Sequence, residues 1–446
     1  METHLAHWIK DCPDGPDAES ILRACVHCGF CNATCPTYQV LGDELDGPRG
    51  RIYQIKQILE GHAPTRSTLL HLDRCLTCMN CETTCPSGVR YGRLLEIGRM
   101  EAEIFVGRPA PERLRRAAWR KLVTTRALFA PAVALGRLLR PLLPRNVRAK
   151  LPPKRAAGAT PSRAHLRKVL LLNGCAQPAL MPSIDAATAR VLDALGVQAV
   201  VAHESGCCGA IDSHGDAQRA ACDKARRNID AWWPLLEAGA QAIVINASGC
   251  GAMVKDYAHL LRTDSDYVEK AQKVASLACD LAEFLAPQTA ALKPVARAPE
   301  DALRRVAFHP PCTLQHAQKI RGVVENLLVA LGAELVPFAD AHLCCGAAGL
   351  YTLLQPELSD ELRNRKLDHL QRPQPRMILS ANIGCLAQLE TGTTVPVRHW
   401  IEWVDALMQS PVAPARGLDA AAAAEDVHGN SRTTTKRDGA VDASSG

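Results

Sequence analysis

The sequence has no uninterrupted apolar run of about 18 residues, which excludes a membrane-spanning helix of ordinary length. Its start, METHLAHWIKDCPDG, lacks the basic stretch and apolar core of a secretory signal. Together these absences predict a cytoplasmic chain without a membrane span. No G-x-G-x-x-G follows a strand-like run, so no flavin or dinucleotide site of its own is expected. Acidic residues nearly vanish between Arg108 and Lys168, where Glu112 stands against seventeen Lys or Arg. That segment carries about +16, leaving the remainder near −10 from a total of +6. It also lacks interleaved stacking aromatics and any recognisable reading module, so nucleic acid is not expected as a partner. A basic contact with a partner subunit or an anionic membrane surface is expected instead. Between Leu122 and Val147, apolar residues alternate with Arg126, Arg137, Arg140 and Arg145 and prolines interrupt, which suits an element lying on a surface.

What the chain does have is cysteine. The 446 residues are 47% hydrophobic and 22% charged, ordinary for a folded protein of two or three domains, yet they include nineteen cysteines. In a reducing compartment disulfides are disfavoured, which leaves metal binding as the leading explanation. Sixteen of them fall into ordered groups; Cys12, Cys222 and Cys279 stand alone and read as small buried hydrophobes or incidental thiols.

The order along the chain predicts a mostly helical cysteine-rich domain over 1–105, a basic helical connector over 106–166, two α/β repeats over 167–295 and 303–410, and a disordered tail over 411–446. The repeats are read from KVLLLNGC, ending at Cys175, and RVAFHPPC, ending at Cys312. In both, 31 residues separate that cysteine from a vicinal pair, Cys207-Cys208 or Cys344-Cys345, and a second apolar run ends near Cys250 or Cys385. Short β-branched runs alternating with helical patterns imply parallel α/β units related by duplication. In the first region GRIYQIKQILEG instead places Ile52, Ile55, Ile58 and Leu59 on one helical face, with Gly61 as its stop.

CVHCGFCNATCP and CLTCMNCETTCP each carry C-x2-C-x2-C-x3-C-P, the spacing of two-cluster iron-sulfur domains. Three cysteines wrap one cubane and the fourth, before Pro36 or Pro86, turns to the other cluster. This assigns Cys25, Cys28, Cys31 and Cys85 to one 4Fe-4S cluster and Cys75, Cys78, Cys81 and Cys35 to the second. Paired zinc sites are the bland alternative, but they leave the doubled spacing unexplained. Gly29 and Gly88 are expected to let backbone amides approach the sulfurs. The chemistry implied is one-electron transfer.

The vicinal pairs are poor disulfide candidates, since adjacent Cα atoms lie about 3.8 Å apart. Each repeat can instead converge four sulfurs: Cys175, Cys207, Cys208 and Cys250 in the first, and Cys312, Cys344, Cys345 and Cys385 in the second. A four-ligand metal site, a redox or quinone-interacting site and a structural remnant all remain open. His203, His214, His309, His316 and His342 lie near these cysteines in sequence, with His309 and His316 flanking Cys312.

The repeats resemble the cysteine-rich CCG domains of heterodisulfide reductases, lactate-utilisation proteins and dehydrogenase iron-sulfur subunits. Some members hold a non-cubane cluster on five cysteines ending in C-x2-C. Met253 and Gln388 stand at that last position here, so the fifth thiolate is missing from both repeats. Over about 400 residues the order of parts resembles the glycolate oxidase (glycolate dehydrogenase) iron-sulfur subunits, with ILRACVHCGFCNATCPTYQVLGDELDGPRGRIYQIKQ, HLDRCLTCMNCETTCPSGVRYG, NASGCGAMVKDYAHLL and CTLQHAQK as the supporting phrases. The resemblance implies an electron-transfer subunit of an oxidoreductase acting on a 2-hydroxy acid. It implies two flavoprotein partners that carry FAD and oxidise glycolate to glyoxylate, and a quinone-type acceptor; the basic connector adds the expectation of peripheral contact with the inner face of the cell membrane. The corresponding subunit of a D-lactate or glycerol-3-phosphate dehydrogenase, or a thiol or heterodisulfide reductase working at the CCG sites, are the alternatives.

Overall fold

The computed structural model describes residues 1–143, Arg148 and 151–409. Expectations for the tail 411–446, and for Arg145 and Val147, fall outside these residues.

Helices Gly15–Ala24, Pro48–Leu59, Arg66–Asp73 and Tyr91–Val106 frame the first region, and no strand occurs before Arg167 among the described residues. The apolar face of Pro48–Leu59 is buried at Ile52, Ile55, Ile58 and Leu59, each burial contributing about 1.5–3 kcal/mol. Pro48 sits at the first helical position, where its missing N–H is not needed. The helix stops at Gly61, whose φ of +96° lets its amide reach the Ile58 carbonyl while the His62 amide reaches Gln57. Tyr91–Val106 crosses this helix at Gly98, where an added Cβ would stand 2.4 Å from Ile55 Cγ1. The backbones therefore approach closely, and that fixes the floor beneath both cysteine loops.

Each repeat is a four-stranded parallel sheet. The first has the order β2-β1-β3-β4, with β1 Arg167–Leu171, β2 Val197–Val200, β3 Ile243–Ile245 and β4 Ala278–Asp280. The second has the order β6-β5-β7-β8, with β5 Arg305–His309, β6 Glu334–Leu335, β7 Met377–Ser380 and β8 Val397–His399. Ile243, Val244 and Ile245 are all fully buried, the continuous apolar pattern of a strand covered on both faces. In both sheets the strand order reverses beside the first strand, which opens a crevice at the carboxyl ends of β1 and β3, and of β5 and β7. The two repeats share one core, in which Val169, Leu192 and Val244 join Phe308, Ile378 and Trp400. Helix Ser183–Ala194 packs along Trp400–Gln409, held by Arg190 to Asp405 at 2.7 Å and Ser183 to Glu402 at 2.6 Å.

The connector departs from its expected form. Helices Ala110–Thr124 and Arg126–Leu138 form, but residues 151–165 are irregular, because Pro152, Pro153 and Pro161 remove donors and fix the backbone. Four of its cations are used inside the chain. Arg108 joins Asp73, Glu103, Glu112 and Asp216; Arg116 joins Asp73; Arg120 joins Asp212; and Arg155 joins Glu390 and Glu402. These pairs fasten the cluster region to both repeats. Arg113, Arg115, Lys121 and Arg126 stay exposed.

Candidate metal centres

The two ferredoxin loops repeat one backbone path. Cys25 and Cys75 follow the ends of helices Gly15–Ala24 and Arg66–Asp73. Two and four residues later the chain enters the left-handed region, at His27 and Gly29 in the first loop and at Thr77 and Met79 in the second. These reversals turn three successive sulfurs inward. At Gly29 the cause is plain, since φ is +84° and a Cβ would meet the Arg49 guanidinium at 2.6 Å. Met79 adopts the same conformation at a strain of about 1–2 kcal/mol and is the positional equivalent of Gly29 in the second loop. Cys35 and Cys85 are extended, at ψ 115° and 117°, immediately before Pro36 and Pro86, whose rings disfavour a helical conformation there.

The extended residues carry each fourth sulfur across. One cavity is bordered by Cys25, Cys28, Cys31 and Cys85, and the other by Cys35, Cys75 and Cys78; Cys81 lies on the wall of both. Each cavity thus gathers three cysteines of one motif and the last of the other. The donor chemistry fits iron-sulfur clusters. Burial pushes Cys31 up to about 11 and raises Cys78 and Cys81 strongly, so ionising these thiols calls for a compensating metal charge. Cys75 goes the other way: burial opposes its thiolate, but Arg51 and Arg99 outweigh it and hold the thiol below its usual value. The Thr77 amide at 3.5 Å and the Tyr91 hydroxyl at 3.6 Å also donate to Cys75 Sγ.

The two surroundings differ. Around the second cavity Arg51 is fully buried on Asp46, Thr37 and the His71 carbonyl, and Arg99 is 6% exposed with its donors on the Leu72 and Cys75 carbonyls. The first cavity opens to solvent, with Cys28 exposed and Val26 and Phe30 at 67% and 62% exposure. Sequence reasoning missed Arg51, Arg99 and Tyr91. Both arginines sit on helices whose neighbours are apolar, and no local pattern marks them as turned inward.

In the first CCG repeat the four sulfurs form a run in which Cys175 meets Cys207, Cys207 meets Cys208 and Cys208 meets Cys250. In the second the run is Cys312, Cys344, Cys345 and Cys385. Cys250 and Cys385 lie in the first turn of helices Ser248–Lys255 and Ile383–Glu390, just beyond the strands. Gly346, at φ +87°, closes the second vicinal turn where a Cβ would stand 2.4 Å from the Ser359 carbonyl oxygen. Bonding to a neighbouring sulfur, with burial adding to it, raises Cys175, Cys208 and Cys312; Cys344 and Cys345 are raised in the same way against an opposing bond from the preceding sulfur, while hydrogen bonds from Cys175 and Cys208 bring Cys207 down to about 3.

The histidines separate. His309 lies with Cys345 and Cys385, ligand atoms all within 4.8 Å of one another. His316 does not join them; it faces Thr83 Oγ1 at 2.9 Å and the His342 carbonyl at 2.9 Å, a tie between the second repeat and the cluster region. His342 offers that carbonyl to Asn80 as well, and His203 and His214 are exposed. Of the lone cysteines, Cys12 is exposed and not buried, donating to the Trp8 carbonyl at 3.1 Å, while Cys222 and Cys279 are half-buried.

Residues 21–89 match the 4Fe-4S dicluster domain family, and residues 169–255 and 306–390 match the cysteine-rich CCG domain family. The glycolate oxidase iron-sulfur subunit of Escherichia coli is 53% identical over 410 residues, covering 92% of this chain and all of that protein. The probable glycolate oxidase iron-sulfur subunit of Bacillus subtilis is 30% identical over 84% of this chain and 89% of its own length. Lactate utilization protein A of Geobacillus thermodenitrificans is 26% identical over 53% of this chain and 97% of its own.

Proposed function

Since the chain belongs to the family of glycolate oxidase iron-sulfur subunits, we propose that it carries electrons from a flavin-bearing partner that oxidises glycolate to glyoxylate towards a quinone-type acceptor. Cys25, Cys28, Cys31 and Cys85 hold the first 4Fe-4S cluster, and Cys75, Cys78, Cys81 and Cys35 the second. The observation that carries this reading is the pair of cavities with exchanged fourth cysteines and a shared wall at Cys81, a two-step conductor in one rigid frame. The clusters supply reversible one-electron storage. The chain's own residues hold them, bury the second, and set their charge surroundings.

The asymmetry gives a direction. Electrons enter at the first cluster, whose rim of Val26, Cys28 and Phe30 is open for a partner to cover. They pass to the second, where Arg51 and Arg99 stabilise the added negative charge. The FAD-bearing partners, two in number, dock over that rim.

No helix among the described residues is long and apolar enough to cross a membrane. Leu128, Leu135, Leu138, Leu139 and Leu142 are nevertheless exposed along and just after Arg126–Leu138, near Lys121 and Arg126. This face lies on an anionic membrane surface, bringing the acceptor within reach. Flotation with anionic but not with neutral vesicles supports that placement; full release from membranes in mild salt once partners are removed opposes it.

The electron path is tested with Cys78→Ala in the assembled complex. Glycolate should still reduce the partner flavin, while reoxidation by a quinone analogue stops. Unchanged turnover would refute the path, and loss of flavin reduction itself would move the substrate chemistry onto this chain.

A further inference from the structure

The two CCG repeats bring equivalent cysteines together, yet only the second adds a nitrogen donor. His309 ends β5 in register with Ser380, whose hydroxyl bonds the His309 carbonyl at 2.9 Å. Its backbone is thereby fixed and its ring enters the crevice against Cys345 and Cys385. The residue is 1% exposed, and neither Nδ1 nor Nε2 has a hydrogen-bond partner. A buried polar group left unpaired costs about 1–3 kcal/mol, and here two ring nitrogens are unpaired beside sulfur donors.

The counterpart in the first repeat, counted back from Cys175 as His309 is from Cys312, is Leu172, which has no donor atom. The position where a fifth cysteine is absent does not compensate. Gln388 turns its amide onto Ser359, at 3.2 Å to the carbonyl and 3.0 Å to the hydroxyl. The additional donor beside these sulfurs is therefore the imidazole of His309 and not the side chain of residue 388. Asn382 directs its amide at Cys385 Sγ at 3.8 Å, a donor suited to a thiolate. The buried Lys366 amine lies on the Asp340 carbonyl and interacts electrostatically with Cys345, Cys344 and Cys312.

We propose that His309, Cys345 and Cys385, with Cys344 and Cys312 completing the donor run, form a mixed imidazole-thiolate centre for a thiophilic first-row ion, zinc or iron, in the second repeat. Sulfur with imidazole is the donor set such ions prefer, and neutral imidazole lowers the charge that an all-thiolate site would bury. The centre adjoins the second cluster site: Cys78 packs in one apolar group with Cys312, Cys344, Leu76 and Tyr351.

The test is metal stoichiometry on the full chain prepared anaerobically with iron and zinc supplied. The two clusters account for about eight iron and eight sulfide, a count that stands or falls independently of this centre. Wild type should hold about one further metal equivalent per chain, and His309→Leu, which installs the residue of the first repeat, should lose it with both cubane signals intact. Loss of zinc or loss of iron identifies the ion, and either supports the centre. No metal beyond the clusters in wild type, or the same excess in the variant, overturns it. If His309→Leu does not fold, zinc-edge absorption on zinc-loaded wild type decides: a mixed nitrogen and sulfur shell supports the centre, and an all-sulfur shell or no bound zinc refutes it.

Discussion

Replacing Arg99 by Met removes one buried positive charge beside the second cluster. Arg99 Nη2 lies 2.6 Å from the Cys75 carbonyl, and Nε and Nη2 lie 3.0 and 2.7 Å from that of Leu72. The guanidinium is therefore about 8 Å from the centre of a cluster held by Cys75, and at an effective dielectric of about 20 a unit charge there is worth roughly 2 kcal/mol. For one electron this is about 90 mV. The sign follows from charge: the reduced cluster is the more negative form, so losing a cation lowers its potential. Anaerobic redox titration followed by electron paramagnetic resonance should show the second cluster about 90 mV lower, the first moving less, and Arg99→Lys shifting little. A second cluster present at full occupancy with an unchanged or raised potential would refute the electrostatic account and with it the direction assigned to electron flow.

Cys85→Ser should weaken the cluster built on Cys25, Cys28 and Cys31 and not the one on its own motif; loss of the opposite signal contradicts the exchange of ligands. Gly98→Val forces its side chain into Ile55 and should destabilise the cluster region by about 1–3 kcal/mol, read as a lowered thermal midpoint, and an unchanged midpoint would show that the helix crossing can open. His316 and His399 are buried and held down to about 4 from 6.5. Unfolding lets them take up protons, so their contribution is complete above pH 6.5 and disappears as pH falls towards 4; denaturation curves that stay flat through that window oppose this assignment.

The sequence made some of this architecture legible and hid the rest for identifiable reasons. Helix Pro48–Leu59 was readable because Ile52, Ile55, Ile58 and Leu59 repeat with the helical period, and the repeats because their cysteines recur at fixed spacing. The left-handed turns at Thr77 and Met79 were not, since neither residue favours that conformation and tertiary packing imposes it. Gly92 makes room for Met79, where a Cβ would come within 2.4 Å of Met79 Cε, and that pairing exists only in three dimensions. The separation of His309 from His316 was equally hidden. Both flank Cys312 in the chain, but one follows the strand into the crevice while the other lies beyond it on an irregular helical turn facing Thr83. Arg108, Arg116, Arg120 and Arg155 of the connector looked like part of a free basic surface because their acidic partners, among them Asp73, Asp212, Glu390 and Glu402, are far away in sequence.

The unequal depth of the two cluster sites also fixes an order of decay in air. Molecular oxygen reaches the cavity at exposed Cys28 directly, whereas Cys78 and Cys81 are at most 9% exposed and Cys78 is roofed by Cys312, Cys344 and Tyr351 of the second repeat. Oxidative damage therefore runs from the outer centre inward. Because Cys81 borders both cavities, collapse of the outer one breaches the seal of the inner, and bleaching should follow two successive phases, the second slow only until the first is complete. A docked partner that covers Val26 and Phe30 would then act as a stopper, lengthening the lifetime of both centres while touching only one.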